Sequence, residues 1–273
     1  VATRRRTPKD PEGRMPLKAH FLELRRRLTI AAAAVVVGTI IGWIYYDRVY
    51  EHLSSPFREY KQMHPDSVIA LNFADPTAAF SQQLSISIFA GVLLTSPIWL
   101  WQIWAFIVPG LTTRERRISA AFFSATVPLF AAGCAFGYYT LPKALIILYN
   151  FTPDQDTSSN IQSTTAYFTF VMRFIFAFGA AWLLPVILVA LCAIGVLTGR
   201  QMLRAWRPAV LLIFVAAAII TPTPDPFTMF LLGGPLVVLF FGACGIGMLI
   251  TRKREQARPA WLDTPEDQAS ALD

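Results

Sequence analysis

A chain of 273 residues with 55% hydrophobic and 15% charged residues carries far less charge than the roughly 25% usual in soluble domains. With 21 Phe, 7 Trp and a mean hydropathy of +0.48, it has too few polar groups to cover a globule. That excludes an ordinary water-soluble domain and makes lipid the solvent for much of its surface. The net charge of +7 would suit nucleic acid only if the basic residues shared one accessible face, whereas a membrane chain distributes them by side.

Residues 1–14 read as a basic cytoplasmic tail. No short apolar core with a cleavage site stands before residue 28, so this stretch does not read as a removable signal peptide, and the first apolar run is expected to stay as an anchor. Leu17, Phe21, Leu24 and Leu28 fall on one helical stripe, with Glu23 and Arg27 at i, i+4 on another. The pattern predicts an amphipathic helix lying on the cytoplasmic membrane surface and running into the first span. Its plain reading is an electrostatic anchor, with Arg25, Arg26 and Arg27 near anionic lipid and Glu23 paired to Arg27.

Uncharged apolar stretches near the ~20 residues that cross a bilayer place spans at about Leu28 to Tyr46, Phe80 to Val108, Ile118 to Tyr139 and Ala166 to Val189. Pro208 to Thr221 follows, only 14 residues, and then Phe227 to Ile250. At 1.5 Å per residue the fifth run reaches ~21 Å, short of a ~30 Å core. Gly233, Gly234 and Pro235 are expected to interrupt the sixth near its outer end. The fold class expected is all-α: six transmembrane helices over residues 15–250, short fifth and sixth spans, and a cytoplasmic tail over 251–273.

Six crossings put both termini on one side. The N-terminal region, the loop Arg114–Arg117, the segment Arg200–Arg207 and the C-terminal tail hold nineteen of the 24 Lys and Arg. The opposite side holds four, and Arg173 lies within a span. The positive-inside rule then makes both termini cytoplasmic, so the surplus charge reports topology and no nucleic-acid partner is expected. With the acids partitioned likewise, the cytoplasmic face is near +10 and the outer face near −4.

The carboxylates at helix ends have structural readings. Thr112 and Glu115, after the Pro109-Gly110 turn, have capping-box spacing; a cap leaves the outer carboxylate oxygen available for binding. Asp75-Pro76 and Asp225-Pro226 read as N-cap followed by Pro at the first helical position. Asp225 adjoins the short span and is expected to lie deeper than a loop carboxylate, which makes it a functional candidate, as does Arg173, whose plain alternative is snorkelling outward. Cys134, Cys192 and Cys244 sit inside apolar runs and read as small buried hydrophobes. No metal-ligand spacing, nucleophile elbow or phosphate loop occurs, so neither catalysis nor a cofactor is expected. A secondary transporter is the alternative from another class, but its spans would need a polar midplane path, and beyond Arg173 and Asp225 they offer mainly isolated Ser, Thr and Gln. An intramembrane protease is remoter, lacking a dyad.

Several blocks, in order, resemble the TatC family, the polytopic receptor subunit of the twin-arginine protein translocase. They are His20-Phe21-Leu22-Glu23-Leu24-Arg25-Arg26-Arg27-Leu28; Ser55-Pro56; Ser96-Pro97 leading through Gln102-Ile103-Trp104-Ala105-Phe106-Ile107 to Pro109-Gly110-Leu111; and Arg114-Glu115-Arg116-Arg117. Ala177-Phe178-Gly179 leading to Pro185, Trp206-Arg207-Pro208 and Thr221-Pro222 leading to Asp225-Pro226-Phe227 continue the series. The resemblance implies a receptor in the bacterial cytoplasmic membrane that binds twin-arginine signal peptides of folded cargo at Glu23 and Glu115. Arg25 would border that site, with Phe106 and Leu111 as apolar flanks. A guanidinium presents a planar fork that a carboxylate matches and lysine lacks. The resemblance also implies single-span TatA- and TatB-type partners, drive by the proton-motive force, assembly or transport roles for Pro56 and Asp225, and room for a homo-oligomer within the receptor complex. One departure stands out: the family usually carries Glu or Gln in the fourth span where this chain has Leu183, and Arg173 is offered as a partial replacement.

Overall fold

The computed structural model describes residues 17–63, 69–73, 75–107, 113–150, 160–220 and 226–256. The chain divides into two compact units, residues 1–128 with 150–172 and residues 129–149 with 173–273. Among the described residues four helices are long and apolar enough to cross a membrane, His20–Ile44, Phe122–Leu148, Thr164–Ile194 and Pro226–Lys253. A fifth candidate is a bent pair, and a shorter apolar helix covers Trp206–Ile219.

In the first unit, α1 (Leu17–Ile44) is one helix from the basic block through the first apolar run. The expected surface helix is therefore no separate element, since a helix without a break cannot turn from the membrane plane into the span. Phe21, Leu24 and Leu28 are exposed along it. Gly38 and Gly42 bring α1 against α3 (Ala78–Leu94). A Cβ on Gly38 would stand 2.7 Å from the Gly91 carbonyl oxygen, and one on Gly42 2.6 Å from that of Ser87. Small residues four apart thus let two apolar helices meet backbone to backbone, where dispersion replaces the missing hydrophobic drive.

The second apolar run, expected as one span, is broken. α3 ends at Thr95 and α4 (Ser96–Ile107) leaves at 60°. Pro97 cannot donate to the Leu93 carbonyl, which interrupts the helical ladder. Near the break Trp99 Nε1 takes up the Val92 carbonyl at 2.9 Å, while the Thr95 hydroxyl, at 2.7 Å, joins the Thr95 backbone N–H, at 3.0 Å, on the Gly91 carbonyl. The expected Asp75 N-cap is also not observed. Helix α3 begins two residues after Pro76, its N-cap residue Thr77 makes no side-chain cap bond, and Asp75 contributes its backbone carbonyl to Ala78 N–H at 3.0 Å.

After α1 comes an amphipathic helix, α2 (Tyr46–Met63), which buries Leu53, Ser54, Pro56, Phe57 and Tyr60. Phe57 packs edge-on against Tyr167, centroids 5.5 Å apart, and Tyr50 lies 4.8 Å from Phe168. The same unit holds a two-stranded parallel pairing, β1 (Ile69–Asn72) with β2 (Asn160–Ser163), in which Ile69 faces Asn160. Among the described residues the all-helical expectation thus holds apart from these two short strands.

Helix α5 (Thr113–Asn150) runs through Pro128 and Pro142, and α6 (Thr164–Ala181) begins directly after β2; each passes from one unit into the other. In the second unit Gly133 and Gly137 of α5 receive Phe178 of α6. Trp182 and Leu183 form a turn ahead of α7 (Leu184–Ile194), whose Pro185 sits in the first turn. α7 closes on Gly195 at φ 84°, with Gly195 N–H donating to the Cys192 carbonyl and Val196 N–H to that of Leu191, a Schellman arrangement requiring the left-handed conformation glycine supplies. After it come α8 (Gly199–Arg204), α9 (Trp206–Ile220) and α10 (Pro226–Gln256).

α10 corrects the expectation of a broken, short sixth span. It continues for 31 residues through Gly233, Gly234 and Pro235. Gly233 serves packing, since a Cβ there would fall 2.6 Å from the Phe214 ring of α9. A single proline costs one ladder bond, which membrane helices tolerate through local adjustment. Cys134, Cys192 and Cys244 are all free thiols and buried.

Candidate functional site

The H-x-x-E-L-R block occupies the second and third turns of α1, the W-A-F-I block the last turns of α4. Helical spacing places His20 one turn before Glu23 and Leu24, and the His20 ring stacks on Phe106 with centroids 4.5 Å apart and planes 24° apart. The structure therefore brings the start of α1 and the end of α4 together, which sequence spacing alone did not reveal. His20 was legible only as part of a motif.

Glu23 is half-buried and accepts from Arg27 Nε at 3.0 Å, with Arg27 Nη2 on the same carboxylate oxygen, Oε1. The expected i, i+4 pair is thus present, and both contacts use one oxygen. Among the described residues no donor reaches Oε2, and a planar guanidinium approaching Glu23 has that oxygen to meet. Arg25 is exposed on the neighbouring face, its carbonyl taken by the Thr29 hydroxyl at 2.8 Å. Phe106 is half-buried. Glu115 belongs to the first turn of α5, while its side chain, its expected capping-box partner Thr112 and the expected apolar flank Leu111 lie outside the described residues. Asp225 lies outside them too, directly before Pro226 at the start of α10.

Pro56 is buried in the middle of α2. It cannot donate to the His52 carbonyl, and the Ser55 hydroxyl donates to that carbonyl instead, at 2.8 Å. The preceding Glu51 carbonyl accepts from the Ser54 hydroxyl at 3.0 Å and from Arg58 Nη2 at 2.7 Å. Ser55-Pro56 is thus a self-satisfied helix interruption. Arg173 is exposed on α6, and Leu183 is half-buried at the α6–α7 turn. Ten residues of helix separate them by ~15 Å, so the two positions stand at different levels. Among the described residues no group of three or more His, Cys, Asp or Glu side chains is arranged to hold a metal ion.

Residues 19–235 match the family model described as Sec-independent protein translocase protein (TatC). The Sec-independent protein translocase protein TatC of Xylanimonas cellulosilytica is 42% identical over 244 residues, covering 89% of this chain and 87% of that one. The protein of the same name from Rothia mucilaginosa is 36% identical over 262 residues, covering 96% and 88%. A crystal structure of the twin arginine translocase receptor TatC in the detergent DDM superposes with a TM-score of 0.71 at 30% identity, covering 84% of this chain and 99% of that one. On this match of sequence, length and fold, the chain belongs to the TatC family of Sec-independent protein translocase proteins.

Proposed function

We propose that this translocase core subunit is the membrane receptor for twin-arginine signal peptides, and that Glu23 and Glu115 take the two guanidinium groups. The observation that carries the reading is the His20–Phe106 stack, which gathers a half-buried carboxylate and an apolar helix end into one region. Such a pair suits a peptide with an arginine pair followed by a hydrophobic stretch. Arg25 and its basic neighbours set a repulsive field that only a peptide engaging both acids overcomes. Leu111 completes the apolar flank.

In the same reading the chain crosses the bacterial cytoplasmic membrane six times, with residues 1–14 and 251–273 in the cytoplasm. The partition of basic residues supports this, as do the bent α3–α4 pair and the short α9, which add two apolar segments to the four long ones. Pro56, Asp225 and Arg173 act in assembly or transport with TatA- and TatB-type partners, and the proton-motive force supplies the energy. The subunit works as a receptor and organiser without catalysing a reaction. Photocrosslinking from residues 20–27 and 106–116 to a twin-arginine peptide tests the site. Strong adducts are expected, falling at least tenfold with a twin-lysine peptide and in Glu23→Lys and Glu115→Lys. Undiminished adducts in both variants would overturn the assignment.

A further inference from the structure

The six-residue helix α8 is held rigidly. Thr198 and Gln201 form a reciprocal capping box at its start. The Gly199 amide donates to the Thr251 hydroxyl at 3.3 Å, and Gly199 is so close to α10 that a Cβ would fall 2.3 Å from the Met248 nitrogen. Met202 is buried on the same side, with the Cys192 thiol 3.2 Å from its sulfur. With one face of α8 fixed to the protein, Arg200, Leu203 and Arg204 are presented on the other, all exposed. With Trp206 and Phe241 they line an open concavity of about 600 Å³.

Among the described residues no carboxylate pairs with Arg200, Arg204 or Arg207, and from Thr164 to Arg254 the sequence holds a single acid, Asp225, with Glu255 the next. Arg207 adds a third guanidinium, centred 5.5 Å over the Trp206 ring. Directly beyond this cluster the helices turn apolar and exposed: Leu211 and Leu212 on α9 are 65% and 66% accessible and Val238 on α10 is 71%. A site with guanidinium groups at one end, aromatic rings in the middle and bare aliphatic helix beyond matches an amphiphile with a phosphate head and acyl tails. Basic pockets between membrane helices select such lipids, and an arginine pair engages phosphate oxygens through fork-shaped donors.

We propose that Arg200, Arg204 and Trp206 form a binding site for one anionic phospholipid, its phosphate between the two arginines and its chains along α9 and α10. Leu203 and Phe241 flank the glycerol region. The occupancy stabilises the α8–α10 junction from outside.

The purified full chain in detergent tests this by native mass spectrometry against added phosphatidylglycerol or phosphatidylcholine. The parent is expected to retain phosphatidylglycerol about tenfold better, and Arg200→Gln/Arg204→Gln to lose that preference while its helical content stays unchanged, since both side chains are exposed. Arg200→Lys/Arg204→Lys should keep an intermediate preference. Equal retention of the two lipids by the parent, or an unchanged preference in the Gln variant, would overturn the proposal. So would displacement of the lipid by soluble glycerol phosphate, which would make the site one for free phosphate. Should the Gln variant misfold, Trp206→Leu provides the second test, with retention expected to fall and an unchanged value counting against the site.

Discussion

The hydroxyl of Tyr167 on α6 donates to the backbone carbonyl of Leu53 on α2 at 3.1 Å, across 114 residues of sequence. Both groups are buried, so the bond forms where water cannot substitute for either partner. It fastens a helix outside the first span to the start of a later one, beside the Phe57–Tyr167 edge contact. Tyr167→Phe keeps the ring and removes the donor. Stability is expected to fall by about 1 kcal/mol, read as a lower melting temperature of the purified protein and faster proteolysis within residues 46–63. A melting temperature equal to the parent's would show that the carbonyl is satisfied without the phenol.

The α1–α3 contact makes a sharper forecast. Gly91 lies so close to α1 that an added Cβ would stand 2.5 Å from the Thr39 amide nitrogen, whereas Gly242 and Gly245 on α10 have open space in that direction. Gly91→Val must separate two backbones and is expected to cost about 1–3 kcal/mol. Gly242→Ala is expected to leave stability unchanged or slightly raised, since alanine favours the helix. Equal melting temperatures for the two variants would contradict the close approach.

The helical segments were legible because apolar length is a strong signal, and the Glu23–Arg27 pair because i, i+4 spacing is local. What sequence reading missed depended on a neighbour. Helix α2 has too many charged residues to register as an apolar run, and the carbonyl that Pro56 leaves is taken up by Ser55. The signal was available in the recurrence of Tyr50, Leu53, Phe57 and Tyr60 at helical intervals. The bend at Thr95 lies in an unbroken apolar run, where only Pro97 marks it. Gly233-Gly234-Pro235 invited the opposite error, because the glycine there makes room for Phe214. Pairing of four-residue strands 91 positions apart in register has no local signature. In the site, the role of His20 depended on Phe106, a partner no spacing rule connects.

Tyr60 offers a pH test outside the spans. It is fully buried on α2, and burial pushes its phenol above the ordinary value of 10.0, because the phenolate loses its hydration. With the folded value above the unfolded one, its contribution to stability is complete below the unfolded value and is lost as pH rises through the folded one. Tyrosinate absorbance should therefore show a component titrating later than the exposed tyrosines, reduced in Tyr60→Phe, together with loosening of α2 in strong alkali. A variant whose titration curve matches the parent's would contradict that burial.

The Glu23–Arg27 pair bears on the proposed receptor role. Arg27 places both contacts on Oε1 of Glu23, so an incoming arginine either adds at Oε2 or displaces Arg27. Half-buried i, i+4 pairs of this kind contribute about 0.3–0.5 kcal/mol, a small barrier to displacement. Arg27→Gln removes both that competition and one like charge, and is expected to tighten twin-arginine peptide binding about twofold at low salt. Glu23→Gln leaves the geometry but removes the charge from the acceptor, and is expected to weaken binding by tenfold or more, because charge-assisted guanidinium contacts are roughly twice as strong as neutral ones. Binding isotherms at two ionic strengths separate the effects: the Arg27→Gln gain should fade with salt, as the like-charge repulsion that it removes is screened, while the Glu23→Gln loss persists. If Arg27→Gln weakened binding instead, Arg27 would be holding Glu23 in its receptive rotamer, and the pair would be part of the receptor surface itself.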